Sequence, residues 1–492
     1  MQGLPLLFST TILSTASSNQ SLPTHCAFAS VGGGWAGIYA AWRVAIDTNR
    51  IPANQVCLFE ASARFGGRTY TVRGGDQILE GLNIDVGAYR FAFEQHLPAD
   101  LIRGPLNIPT ACYIPSCKRE PLDGNLTLHK LMNTSSNSSA GYGTALDVML
   151  HALRAAGAHL VAGAQLAAVR ADPSAGSTGV VLEWSSNRRS LFADIDGALT
   201  TIADSVLLNL PRHAVNALAP SSVLFGDEAT RLARRLYDCS RESAQANYTR
   251  EASVKVYLVY ADAWWRTKLG LREGEVREPA DPPVYIRYHD GPVKCERHSP
   301  SLAAPEACSG ALLVQYAHSL ENGGGFYMPY RTDYSSPLSI VPWSHSKLPA
   351  IVHAKLMAMH AARLRAAGVD PASIAPPTAV VAGYWPHSLT ETRHPAPDPL
   401  SFTTAPGHTL PKCLQGLGSQ AYSAATRKPL PGRNVYVANN DWWLEESKLD
   451  LIAPYWAEVS LRVAERVLHD YVGLAPPSWL DAEYFRKSVM GI

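Results

Sequence analysis

Little of this 492-residue chain carries charge. Asp, Glu, Lys and Arg make up 17% of it, with 43 basic residues against 42 acidic ones and a formal net charge of +1. No basic stripe marks a nucleic-acid surface, and no acidic tail marks a solvating segment. Long apolar runs are also missing. Leu4 to Leu13 is too short to span a bilayer and no later segment is long and apolar enough, so no membrane span is expected. Paired C-x-x-C spacing is absent, which leaves no zinc framework, and no metal site is expected. Heptads and internal repeats are absent too, which excludes a coiled coil or a solenoid.

What is present suits a globular chain. Hydrophobic residues make up 46%, and the length exceeds what one core serves, so two interleaved domains are expected. Residues 1–22 hold the Leu4–Leu13 run followed by small polar residues, with Ser14-Thr15-Ala16 as a cleavage candidate, although no Lys or Arg precedes the run. This segment resembles a secretory signal peptide, an organelle-targeting leader being the alternative. Sequons at Asn19, Asn125, Asn133, Asn137 and Asn247 point to the secretory route and to glycosylation. Of the eight cysteines, Cys112/Cys117 and Cys295/Cys308 are near enough in sequence to be disulfide candidates. Cys26 and Cys57 fall in apolar runs and are expected as buried free thiols.

The apolar run Cys26 to Val31, a glycine turn, a helix-like stretch from Trp35 to Asp47 and the run Gln55 to Glu60 form a βαβ unit. Further strands are expected over Ala158–Val169, Gly179–Trp184, Ala203–Leu210 and Asn434–Ala438, with helices over Tyr142–Ala156, Ala350–Ala367 and Pro454–Tyr471. The resulting division is a leader (1–22), a nucleotide-binding region in three parts (23–104, 140–215 and 401–475), a mobile surface excursion (105–139), a substrate region rich in proline and aromatics (216–400) and a C-terminal tail (476–492).

Gly32-Gly33-Gly34-Trp35-Ala36-Gly37 satisfies G-x-G-x-x-G between a strand and a helix. Gly32 allows the tight turn, Gly34 lets backbone approach a pyrophosphate, and Gly37 lets helix and strand pack closely. The helix start offers N–H groups and the positive dipole end to phosphate. Glu60 closes the second strand, where a carboxylate accepts from both ribose hydroxyls and repels a 2′-phosphate.

After Glu60 the chain reads Ala61-Ser62-Ala63-Arg64-Phe65-Gly66-Gly67-Arg68-Thr69. This resembles the E-A-x-x-R-x-G-G-R signature of flavin-containing amine oxidases. The resemblance implies an α/β chain: a Rossmann-like FAD-binding domain of the flavin amine oxidoreductase type, interleaved with an α+β substrate domain. No cysteine sits in an obvious flavinylation motif, so FAD is expected to be held without a covalent link. Gly66 and Gly67 would approach the flavin side, with Arg64 and Arg68 near phosphate and the ring edge. Asp85-Val86-Gly87-Ala88-Tyr89-Arg90 is similar to a family segment lying against the flavin, in which Gly87 and Ala88 would contact the cofactor. An arginine placed like Arg90 resembles the L-amino-acid oxidase branch, where it binds the substrate carboxylate. A guanidinium suits this because it pairs bidentately and stays charged. Lys255 opens the run Ser253–Tyr260 ahead of Trp264-Trp265, like the family lysine that holds a water against flavin N5. The alternatives are a structural ion pair for Arg90 and an exposed strand-end lysine for Lys255.

Toward the C-terminus the match loosens. Ala438-Asn439-Asn440-Asp441 stands where the family has A-G-E, leaving Asn440 as a cofactor-binding candidate without the usual glycines. Trp385 and Trp456 are candidates to flank the substrate, with Trp442, Trp443 and Tyr455 nearby in sequence; for each, core packing is the alternative. The function so implied is oxidative deamination of an L-amino acid to 2-oxo acid, ammonia and peroxide, with oxygen as acceptor. Alternatives are a monoamine or polyamine oxidase, a flavin desaturase or isomerase, and a non-catalytic FAD-fold protein. Expected partners are a small amine or amino acid and oxygen, with no nucleic acid. The oligomeric state stays open, a homodimer included.

Overall fold

The computed structural model describes residues 22–74, 79–119, 126–174, 177–185, 199–247, 253–295, 307–317, 323–333, 336–385, 419–442 and 456–492. The leader up to residue 21, Asn19, Asn125, Cys413, Trp443 and Tyr455 lie outside the described residues.

Two sheets organise the chain. The first has five parallel strands in the order His159–Ala162, Val56–Glu60, Phe28–Val31, Val206–Leu208, Val435–Val437. These are the short apolar runs of the sequence, and they read as continuous hydrophobic segments because the sheet is covered on both faces. Phe28, Val56 and Leu58 enter a core shared with the helices Trp35–Trp42, Thr144–Ala155 and Ala457–Val467. Ala29, Val31, Cys57 and Phe59 point the other way, into a core covered by the strands Leu166–Ala171, Val180–Trp184 and Thr200–Ala203. Leu218, Leu224, Ala233 and Leu236 join that second core, so residues 216–239 pack with the parallel sheet.

The second sheet has seven strands and is antiparallel. Its order is Glu275–Glu278, Val284–Arg287, Cys308–Ala317, Ser253–Tyr260, Ala379–Trp385, Leu338–Pro342, with Val293–Cys295 also pairing Cys308–Ala317. Val254, Val256 and Leu258 pack beneath the helix Lys347–Ala366. Tyr257 and Val259, of opposite parity, face the hairpin Thr71–Val72/Ile84–Asp85. This alternation places Lys255 on the hairpin side too. The chain is thus a Rossmann-like α/β domain joined to an antiparallel sheet with a covering helix. Among the described residues, no helix is long and apolar enough to cross a membrane.

Several expectations need correction. Cys26 and Cys57 are not free thiols but a disulfide. Parallel register sets Ala29 opposite Cys57, and both sulfurs point into the same buried layer. Cys112–Cys117 and Cys295–Cys308 pair as expected, and Cys239 is also disulfide-bonded. The run Ala158–Val169 breaks at Gly163, whose φ of +80° turns the chain from one sheet to another. Residues 105–139, over their described part, are not a loose excursion. The strands Thr110–Cys112 and Leu128–Asn133 pair with each other and bury Tyr113, Leu126, Leu128 and Leu131. The tight turn beyond them leaves Asn133 and Asn137 exposed. The C-terminal stretch packs as well, burying Leu480, Phe485 and Val489 in the helical core.

The cross-link between Cys26 and Cys57 closes a sequence separation of 31. Replacing both by Ala is expected to lower the unfolding free energy by about 3–4 kcal/mol, the loop-closure value for that length. Denaturant melts of the oxidised and variant proteins check this.

One tie joins the ends of the chain. Arg43, 1% exposed, donates from Nε to Glu465 at 2.7 Å, and Tyr39 donates to the same carboxylate at 2.6 Å. Both carboxylate and guanidinium lie out of water, between the first helix and the last long one.

Candidate active site

The glycine turn is held from three sides. Gly32 has φ +102°, and a Cβ there would lie 2.2 Å from the Asn209 carbonyl. Asn209 Nδ2 donates to the Gly32 carbonyl at 3.0 Å, and Asn209 Oδ1 accepts from Asn439 at 2.9 Å. A Cβ on Gly37 would lie 2.0 Å from the Gly32 carbonyl. The helix Trp35–Trp42 therefore starts directly on the strand end, without a side-chain cap and with no acid in its first turn. Such a start offers its N–H groups to an anion.

Glu60 is fixed in place. Its Oε2 accepts from Gly33 N and its Oε1 from Ser62 N, both at 2.8 Å. Each oxygen keeps a second lone pair for a diol. Gly66 N donates to the Gly33 carbonyl, so the second glycine loop lies on the first. Gly67, at φ +55°, faces Gly34: a Cβ on it would be 3.0 Å from Gly34 Cα. Two bare backbone segments thus face each other beside an uncapped helix start and an acid. This arrangement fits an adenine dinucleotide. Residues to hold one would be Gly32, Gly34, Gly37, Glu60, Gly66 and Gly67, with exposed Ala61 continuing the loop.

The two arginines of this loop brace the protein. Arg64 donates to the carbonyls of Phe65, Gly67 and Thr69 and stacks on Tyr70 at 4.1 Å. Arg68 donates to Asn440 Oδ1 at 2.5 Å and pairs with Asp441 at 3.1 Å. The loosened C-terminal motif is thus stitched to the loop by side chains where glycines were expected.

Gly87 and Ala88 run alongside. Ala88 N donates to the Arg68 carbonyl at 3.0 Å. A Cβ on Gly87 would lie 2.2 Å from that same oxygen and 3.0 Å from Trp385. Trp385 Nε1 donates to the Val86 carbonyl at 2.7 Å, which locks the ring over the segment. From the antiparallel sheet Lys255, 3% exposed, donates to the Gly87 carbonyl at 2.6 Å. Its Nζ sits 3.3 Å above the Tyr89 ring and 4.9 Å from that of Tyr316. Burial holds the Lys255 amine well below its ordinary value, against the pull of Asp290 and Asp85. Burial in turn pushes the Asp85 carboxyl up to about 6, opposed by the Thr71 hydroxyl and by Lys255.

Arg90 also stacks on Tyr89. Its guanidinium stacks at 4.4 Å from Tyr89 and 5.3 Å from Tyr113, and reaches Asp290 at 3.8 Å. Trp456, at the start of the last long helix, packs with Tyr89 and Tyr113. Lys255, Arg90 and Trp456 therefore gather around Tyr89, while Trp385 packs beside Gly87 and 5.7 Å from the Arg64 guanidinium. Asp290, Tyr113 and Asn209 escaped the sequence reading. Asn209 ends a strand that was recognised, but Asp290 follows an exposed-looking turn and gave no signal.

Residues 31–97 match the NAD(P)-binding Rossmann-like domain. A solved structure of putrescine oxidase, from a redesign of its cofactor binding, is similar over 92% of this chain and 99% of that one, at 12% identity and a TM-score of 0.47. No curated protein matches the sequence.

Proposed function

We propose that the chain is an FAD-dependent oxidoreductase that oxidatively deaminates a small amine or L-amino acid, with oxygen as electron acceptor. The observation that carries this reading is Lys255: a buried amine whose pKa burial lowers, fixed on the Gly87 carbonyl beside two glycine loops suited to a dinucleotide. FAD, when bound, supplies the two-electron oxidation of the C–N unit. The protein's share is position and proton handling. Tyr89, Tyr316, Trp385 and Trp456 give apolar faces that exclude water from an amine. Lys255 Nζ is placed to hold a water or to exchange a proton with the substrate. Arg90 is placed to receive a carboxylate where the substrate has one.

Glu60 and the E-A-x-x-R-x-G-G-R run favour FAD over NADP. Among the described residues the cysteines are all in disulfides, which fits a non-covalent flavin. Disulfides and two exposed sequons, Asn133 and Asn137, suit a secreted or lumenal protein.

A second reading is an amine oxidase acting on substrates without a carboxylate. It is favoured by the buried Asp290 beside Arg90. The test of both is an anaerobic panel of amines and L-amino acids on the FAD-loaded protein, read by loss of flavin absorbance. Bleaching by members of either class supports deamination, and the class that bleaches faster chooses between them. A flavin that no amine or amino acid reduces refutes the proposal.

A further inference from the structure

Asp290 follows the strand Val284–Arg287, and its carboxylate is wholly out of water. Arg287 Nη1 lies 3.4 Å from it and His289 Nε2 3.3 Å, while the Tyr89 hydroxyl donates to it at 3.3 Å. The Tyr113 hydroxyl donates to the backbone carbonyl of the same residue at 3.2 Å. Arg90 Nη1 adds an ion pair to the same carboxylate at 3.8 Å. Arg287 also pairs with Glu275 at 3.3 Å. Arg287, Arg90, His289 and Lys255 outweigh the upward push of burial and hold the Asp290 carboxyl below its ordinary value, so it is ionised at neutral pH.

We propose that Asp290 is the specificity-determining residue of this site: its fixed negative charge competes with a substrate carboxylate for Arg90, so that amines lacking a carboxylate are favoured over the matching amino acids. The physical basis is short-range charge in a dry setting. A carboxylate that reaches Arg90 also meets Asp290, and like charges brought together away from water repel strongly. A neutral or carboxylate-free ligand meets only the aromatic faces of Tyr89, Tyr113 and Trp456. The inference rests on the amine-oxidising reading of the site and adds the substrate class.

The test uses the FAD-loaded full chain and two isosteric probes, benzoate and benzamide, each titrated by its perturbation of the flavin spectrum. Asp290→Asn is expected to tighten benzoate by about ten-fold while leaving benzamide unchanged. Adding Arg90→Gln to that variant is expected to remove the gain. An unchanged benzoate-to-benzamide ratio in Asp290→Asn overturns the proposal. Should Asp290→Asn fail to retain FAD, Arg90→Gln alone decides. An arginine already countered by Asp290 loses less than about ten-fold in benzoate affinity, whereas a loss of about a hundred-fold or more means that Arg90 acts unopposed. Failure of the underlying reading looks different: FAD is bound, but neither probe perturbs it and no amine bleaches it. That outcome removes the specificity claim as well.

Discussion

Gly37→Ala is expected to give a protein that purifies without flavin. The added methyl would stand 2.0 Å from the Gly32 carbonyl and 3.0 Å from Ser30 Oγ. Neither neighbour can retreat easily. The Gly32 carbonyl accepts from Asn209 Nδ2, and Ser30 Oγ is buried and donates to the Gly37 carbonyl. The helix must therefore lift from the strand, which costs about 1–3 kcal/mol or more as overpacking. It also moves the N–H groups that would face the pyrophosphate. Flavin content per chain, read from the absorbance ratio after gel filtration, is expected to fall below about a tenth of the parent value, since cofactor sites tolerate little displacement. Gly432→Ala is the control, because a Cβ there has open space around it. Stoichiometric FAD in Gly37→Ala would show that the turn does not seat the cofactor.

The second large effect is expected at Lys255. Lys255→Met keeps the length of the side chain and removes its proton chemistry. A thioether is at home between the Tyr89 and Tyr316 rings, so the fold and bound flavin are expected to survive. The anaerobic reduction rate is expected to fall by about 10²–10⁴-fold, the usual range for a positioned acid or base. Lys255→Arg is not expected to restore it, because a guanidinium does not release its proton and is bulkier in a buried slot. Stopped-flow reduction with saturating substrate separates this from weakened binding. A loss of less than about three-fold would place Lys255 among packing residues and remove it from the proton step.

Both candidates were picked out in the sequence for a reason. Glycine turns and buried strands depend on local sterics, so G-x-G-x-x-G, Glu60 and the second glycine loop could be read along the chain, and the strands fell within a few residues of expectation. Lys255 was picked out by the resemblance of Ser253–Tyr260 and Trp264-Trp265 to a family segment, and the structure adds that strand alternation sets its face. What stayed hidden was set by contacts across long sequence distances. The Cys26–Cys57 bond joins a strand of the four-stranded sheet to one of the parallel sheet, so it depends on how the two sheets lie against each other. The part played by Asn439 and Asn440 depends on Asn209 and Arg68, which lie 230 and 372 residues away. Asp290 lies 201 residues from Tyr89 and follows no motif. A pattern search sees a glycine missing from the C-terminal motif; it does not see the side chains that tie the loop down in its place.

The Arg43–Glu465 pair has a consequence for biosynthesis. Arg43 emerges from the ribosome early, yet its buried carboxylate partner is 422 residues behind it. At about 5–20 residues per second, tens of seconds pass before Glu465 is available. During that interval Asp47, one helical turn on, is the carboxylate within reach of the guanidinium. Full burial of Arg43 between the first helix and the last long one comes only when Glu465 docks against it.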